Sequence, residues 1–197
     1  MKKQIAFFDF DGTITTKDTL LEFIKFSKGS LPFYIGFLLN SPWLVAFKLK
    51  IIPNQAAKER VLSYFFKKTP LEKFERLCRD FAEQAIPALI RPKALDEIGR
   101  LQQQGIPVVI VSASPENWIR PWADQLQLEL IATRLQTSND RLTGRIEGRN
   151  CYGEEKVKRI QQHYTLPDFT EIYAYGDSSG DKPMLAIAKI SFYKPFR

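Results

Sequence analysis

Apolar residues fall into two regimes along this chain. Short runs that stop at a polar residue sit at 5–8, 106–111, 128–132, 172–175 and 190–193. Their length and β-branched or aromatic content predict strands, and their continuity predicts burial on both faces, as in a parallel sheet. Between them lie stretches with apolar residues three and four apart, the helical period. Asp18 can N-cap a helix to about Lys28, with Leu20, Leu21, Phe23, Ile24 and Phe26 supplying apolar surface. Asn54 opens a helix with Ala57, Val61, Leu62, Phe65 and Phe66 on one side. Thr69-Pro70-Leu71-Glu72 has the form of a capping box, ahead of Phe74, Leu77, Cys78 and Phe81. Residues 17–85 therefore read as an all-helical insertion after the first strand.

From Pro92 onward strands and helices alternate. A helix ends at Gly105, and the strand 106–111 ends at Ser112. Ser114-Pro115 starts a helical segment that Pro121 should kink or restart. Residues 136–147, with Asn139-Asp140 and Gly144, predict a hairpin or an irregular ribbon. A helix from Gly153 carries Lys156, and another follows at 183–188. The pattern defines an α/β protein: a Rossmann-like core of parallel sheet flanked by helices at 1–16 and 86–197, and a helical cap at 17–85.

One stretch fits neither regime. Residues 29–47, GSLPFYIGFLLNSPWLVAF, carry no charge and approach the ~20 apolar residues of a membrane helix. Pro32, Gly36 and Asn40-Ser41-Pro42 predict two short helices with a turn, edged by Lys48 and Lys50. Buried in a cap, this hairpin would be ordinary core. Lying on a bilayer, it would make 29–50 a peripheral membrane contact.

Charge sharpens the second option. The chain carries +7, and residues 17–85 hold twelve Lys/Arg against seven Asp/Glu, so +5 of it sits there. Phosphorylated substrates, anionic lipid and nucleic acid would all suit that balance. Nucleic acid is not expected, because no KH clamp, RRM aromatic signature or zinc finger is legible. Cys78 and Cys151 match no metal or disulfide spacing, which predicts a cytoplasmic setting, with any membrane contact peripheral at the inner face. Composition leaves oligomeric state undefined.

The candidate chemistry gathers at strand ends. Asp9 and Asp11 close the first strand and Gly12 releases the backbone to turn. Ser112, Lys156, Asp177 and Asp181 follow later apolar segments. A parallel sheet brings such ends together, where open α/β sheets bind ligands. Carboxylates packed this closely repel, and a hard divalent cation relieves them; an all-oxygen set favours Mg²⁺ with a substrate phosphate. One aspartate could then attack phosphorus and the other shuttle the proton. Ser112 Oγ, the amide of Ala113 and the Lys156 ammonium could stabilise the phosphoryl group.

DFDGT at 9–13, the strand ending at Ser112, Lys156, and GDSSGD at 176–181 resemble, in order and spacing, the four motifs of the haloacid dehalogenase superfamily. The helical insertion resembles the type 1 cap of its subfamily IB, which includes phosphoserine phosphatases. The resemblance implies a phosphatase with Asp9 as nucleophile and Asp11 as acid/base. It implies Mg²⁺ held by Asp9, the Asp11 carbonyl and Asp177, with Asp181 assisting, and Ser112 and Lys156 on the phosphoryl group. Gly12 stands where phosphoserine phosphatases carry Ser, and Asp18 where their cap places a substrate-binding glutamate. Residues 29–52 resemble, more loosely, the hydrophobic cap of C-type phosphatidylglycerophosphate phosphatases. The implied substrate is a small soluble phosphomonoester, phosphoserine among them, or a lipid phosphate. A receiver-like phosphoacceptor and a membrane-associated binding module without turnover are the rival classes.

Overall fold

The computed structural model describes residues 3–49 and 51–197. Lys50, one of the two lysines expected to edge the apolar stretch, lies outside them. The strands are β1 (Gln4–Phe8), β2 (Val108–Pro115), β3 (Glu129–Thr133), β4 (Leu135–Ser138), β5 (Arg141–Ile146), β6 (Glu171–Gly176) and β7 (Ile190–Tyr193). Five form one sheet in the order β3-β2-β1-β6-β7, and every neighbouring pair is parallel. The first strand is thus the central one.

Alternation along β1 explains its uninterrupted apolar run. Ala6 and Phe8 pack with Val108 and Ile110 on one face, whereas Ile5 and Phe7 pack with Val109, Val111 and Ile160 on the other. Phe7 and Phe8 are fully buried, each contributing about 1.5–3 kcal/mol of apolar transfer.

The helices are α1 (Thr19–Lys28), α2 (Ser30–Lys48), α3 (Asn54–Phe66), α4 (Leu71–Gln84), α5 (Ile86–Leu89), α6 (Pro92–Gln103), α7 (Glu116–Gln125), α8 (Glu154–His163) and α9 (Lys182–Ala186). The first four lie between β1 and the return to the sheet. Their core is continuous with the sheet's upper face: Phe23 stacks on Trp118 of α7 at 4.7 Å and meets Phe66, Phe74 and Phe81. Asp18 caps α1 as expected, accepting from the amides of Leu20 and Leu21.

Several local expectations give way to tertiary contacts. The predicted hairpin in the uncharged stretch is a single helix, α2, which runs through Asn40-Ser41-Pro42. Pro42 has no N–H for the Leu38 carbonyl, but Ser41 Oγ donates to that oxygen at 2.7 Å. Asn40 likewise donates its side-chain amide to the Gly36 carbonyl at 2.7 Å. The polar side chains expected to break the helix instead satisfy its backbone. Pro121 similarly sits inside an unbroken α7, pinned by buried Trp118, Ile119 and Trp122.

No side-chain capping box forms at Thr69. The β4–β5 ribbon takes those backbone groups: Leu142 N–H donates to the Thr69 carbonyl, and Leu71 N–H to that of Asp140. The hairpin itself forms as expected, with Asn139 and Asp140 both at positive φ, as a two-residue turn of this hand requires. The second strand starts two residues later than predicted and runs past Ser112 to Pro115, because Ile106 N–H is spent closing the end of α6 on the Leu101 carbonyl.

Candidate active site

Asp9 follows β1 at the centre of the sheet, so its carboxylate emerges between β2 and β6. Lys156, projected from the first turn of α8, reaches it under the sheet edge. The ammonium donates to Asp9 Oδ1 at 2.6 Å, to Asp181 Oδ1 at 2.7 Å and to the Val111 carbonyl at 2.7 Å. All three of its protons are used, and the side chain is 1% exposed. Burial alone would lower its pKa; the two carboxylates overcome that and raise it, so it stays charged. Thr13 Oγ1 donates to the other Asp9 oxygen at 3.1 Å.

The GDSSGD loop is organised by Asp181. Its Oδ2 accepts from Ser178 Oγ at 2.7 Å and from the amides of Asp177 and Ser178, while Oδ1 holds Lys156. Against the rise that burial would cause, Lys156 and the Ser178 bonds keep Asp181 below the usual carboxylate range. Asp177, one turn earlier, points into the cleft and pairs with Arg197 at 2.5 Å. One oxygen each of Asp9, Asp177 and Asp181 lie within 4.8 Å of one another. Asp9 bears the cost. Burial pushes its pKa up to about 7 despite Lys156, and the Asp181 and Asp11 charges add to the rise.

Gly12 permits this crowding. Its φ is +79°, and a Cβ there would stand 2.5 Å from Asp177 Oδ2. The backbone makes one wide turn through 10–14, so Asp11 faces away from the triad and toward α1. Its Oδ1 accepts from the amide and the hydroxyl of Thr19, both at 2.6 Å, and Ser112 Oγ lies 3.5 Å from Oδ2. Asp9 and Asp11 are thus held by different parts of the protein, although both flank the same cleft.

Ser112 is fully buried and accepts from the Ser114 amide at 3.0 Å. The Ala113 carbonyl accepts from Lys58 Nζ at 2.9 Å. Asp18 lies at the rim, with Oδ1 occupied by its capping bonds; burial, then the Asp11 charge, raises its pKa. His163 stays outside, its ring bonded to the Arg159 carbonyl.

Two residues at the cleft carry no signal in the sequence. Thr19 orients Asp11 and is itself fixed by Trp118 Nε1 at 3.1 Å. Lys58 sits on α3 and crosses from the helical insertion to the sheet, touching Asn150 Oδ1 at 3.4 Å as well as Ala113. Burial lowers its pKa, opposed by Asp18 and Asp11. Neither residue belongs to a recognisable motif, because Thr19 acts on a side chain eight residues back and Lys58 acts from another helix.

An acid cluster with a buried lysine thus stands at the carboxyl edge of a parallel sheet, where open α/β proteins bind their ligands. A family model for haloacid dehalogenase-like hydrolases matches residues 6–186, and the chain belongs to that family. Protein CicA of Caulobacter vibrioides is 38% identical over 96% of this chain and 85% of its own. A Mycobacterium tuberculosis protein named "Probable phosphatase" is 28% identical over 98% of this chain and 69% of its own. In fold, the chain is similar to a protein of unknown function from Bordetella pertussis Tohama I, with TM-score 0.83, 23% identity, and coverage of 97% of this chain and 89% of that one. It is also similar to a substrate-bound phosphoserine phosphatase, with TM-score 0.66, 21% identity, and coverage of 98% and 86%.

Proposed function

We propose that this protein is a Mg²⁺-dependent phosphomonoester hydrolase working through a phosphorylated Asp9, on a phosphorylated small molecule. The observation that carries this reading is the setting of Asp9. It is a buried carboxylate at a sheet edge, fixed by Lys156 and Thr13, with the oxygens of Asp177 and Asp181 beside it. The relative named as a phosphatase and the phosphoserine phosphatase fold support it.

The donor set fits a hard divalent cation. Three carboxylates converge where one ammonium contacts two of them, and Asp9, its pKa raised first by burial and then by its acidic neighbours, is the one whose charge is least compensated. Asp9 and Asp177 would hold Mg²⁺ with the Asp11 carbonyl, while both Asp181 oxygens are already engaged in holding the loop and Lys156. When bound, the ion would neutralise the phosphoryl oxygens and the acid cluster.

The side chains then divide the work. An Asp9 oxygen attacks phosphorus, and the bond from phosphorus to the leaving oxygen breaks as Asp11 gives that oxygen its proton. Asp11 next takes a proton from water; the water oxygen attacks phosphorus, the bond to Asp9 breaks, and phosphate leaves. Thr19 holds Asp11 in place for both transfers. Ser112 Oγ, the Ala113 amide and Lys156 surround the phosphoryl oxygens. Helices at 17–85 act as a cap, with Lys58 bridging it to the core and offering a cation to the substrate beyond its phosphate. The Asp18 carboxylate, shorter than glutamate and occupied with capping, favours a substrate other than phosphoserine.

The test is Mg²⁺-dependent phosphate release from a panel of phosphomonoesters, with Asp9→Asn beside the wild type. The amide is isosteric and removes a charge that burial penalises, so the variant should fold at least as stably. Its turnover should fall by at least about 10³-fold, the scale on which removing a nucleophile acts. Full activity in Asp9→Asn would exclude the mechanism.

A further inference from the structure

We propose that the outward face of α2 docks the protein, in the plane of the interface, on an anionic lipid bilayer. Helix α2 is apolar all round, but only one side is used inside the protein. Gly36 packs so closely on α3 that a Cβ there would lie 2.2 Å from the Phe65 ring, and Phe37 meets the same ring at 6.0 Å. The opposite side presents Leu31, Tyr34, Leu38, Leu39, Trp43 and Val45 to water, with Leu38 at 72% and Leu39 at 61% exposure. Leu49 and Ile51 extend the patch. Together these side chains expose roughly 1,000 Å², beyond the ~300–600 Å² of the largest patch on an ordinary monomer.

The charge around the patch selects its partner. Helix α2 is uncharged from Ser30 to Phe47, so the polar half that an interfacial helix needs is supplied by its neighbours. Exposed Lys25 and Arg60 and part-buried Lys28 come from α1 and α3, and exposed Lys48 closes the end of α2. Arg60 lies over the Trp43 ring at 5.4 Å, and Lys28 lines a groove with Leu31 and Ile35, which places cations at the edge of the apolar face. Trp and Tyr at such an edge match the headgroup level, and each nearby lysine or arginine gains from anionic lipid. Two copies meeting through this face would bring the same cations together. Spanning the bilayer would require tearing α2 from α3 and exposing Phe65, whereas lying in the interface leaves that contact whole.

Flotation with vesicles tests this without reference to enzymatic activity. The full chain should float with phosphatidylcholine vesicles containing about one-third phosphatidylglycerol and far less with pure phosphatidylcholine, and added salt should reverse the difference. Trp43 fluorescence should shift to the blue on binding; Trp118 and Trp122 are already buried. Leu38→Glu/Leu39→Glu should lower the vesicle partition at least about tenfold, since each glutamate must leave the apolar interface, while circular dichroism and hydrolysis of a soluble phosphomonoester stay unchanged. Equal flotation of the variant, or no preference of the wild type for anionic vesicles, would overturn the proposal. A patch-dependent dimer in sedimentation that ignores vesicles would overturn it in favour of a second copy.

Discussion

Replacing Lys156 by methionine should destabilise the protein more at pH 8 than at pH 5.5. The ammonium is buried, holds Asp9 and Asp181 at 2.6 and 2.7 Å, and fills the Val111 carbonyl. Methionine keeps the stem and leaves two carboxylates facing each other with no cation between them. Breaking a buried pair in this way costs about 3–5 kcal/mol, or a fall in Tm of roughly 10 °C for a chain of this size. The pH dependence follows from Asp9. Its folded pKa of about 7 is far above the ordinary carboxylate value of 3.8, so the folded state binds that proton more tightly than the unfolded one. The contribution of Asp9 to wild-type stability therefore falls as pH climbs from about 4 to 7 and levels off above. Lys156 is the group pulling Asp9 down; without it the pKa moves higher still, and the falling limb extends past pH 7. At pH 5.5 Asp9 is protonated in both proteins, so the variant's deficit shrinks to the loss at Asp181 and the orphaned carbonyl, about 1–3 kcal/mol. Thermal melts in EDTA at the two pH values measure both numbers. A deficit under about 2 °C at pH 8, or one at least as large at pH 5.5, would refute the electrostatic account of this cluster.

Gly12→Ala should weaken Mg²⁺ activation about 10–100-fold, the range for disturbing a metal ligand's support, because its Cβ would displace Asp177 from 2.5 Å; the half-saturating Mg²⁺ concentration in a phosphate-release assay checks it. Lys58→Met should raise KM about 10–100-fold while kcat changes little, as expected when a charge-assisted bond worth ~1.5–3 kcal/mol is lost from substrate binding alone. A kcat loss with unchanged KM would instead place Lys58 in the chemistry.

The sequence by itself determined the strands, the helical insertion and the family. Each rests on local chemistry: 5–8 is apolar at every position because β1 is covered on both faces, and Asp18 caps α1 because its side chain reaches two amides in its own turn. Asp9 and the 177–181 loop sit where chain direction alone puts them, past the carboxyl ends of the parallel strands β1 and β6, whereas Ser112 lies near the end of β2 and Lys156 comes in from the first turn of α8. What the tertiary structure decided are the matters settled by partners distant in sequence. Whether 29–47 bends or runs straight depended on where Asn40 and Ser41 could donate, and α3 supplied a surface that rewards a straight helix. Thr69 lost its capping role because a ribbon seventy residues later took the Leu71 amide that its hydroxyl would have capped. The part of Asp181 follows from both its oxygens being engaged, by Lys156 and by its own loop. Thr19 and Lys58 entered the cleft from elements whose approach no periodicity encodes. Spacing specifies which groups a segment carries, whereas hydrogen-bond partners and burial depend on which other segment arrives to meet them.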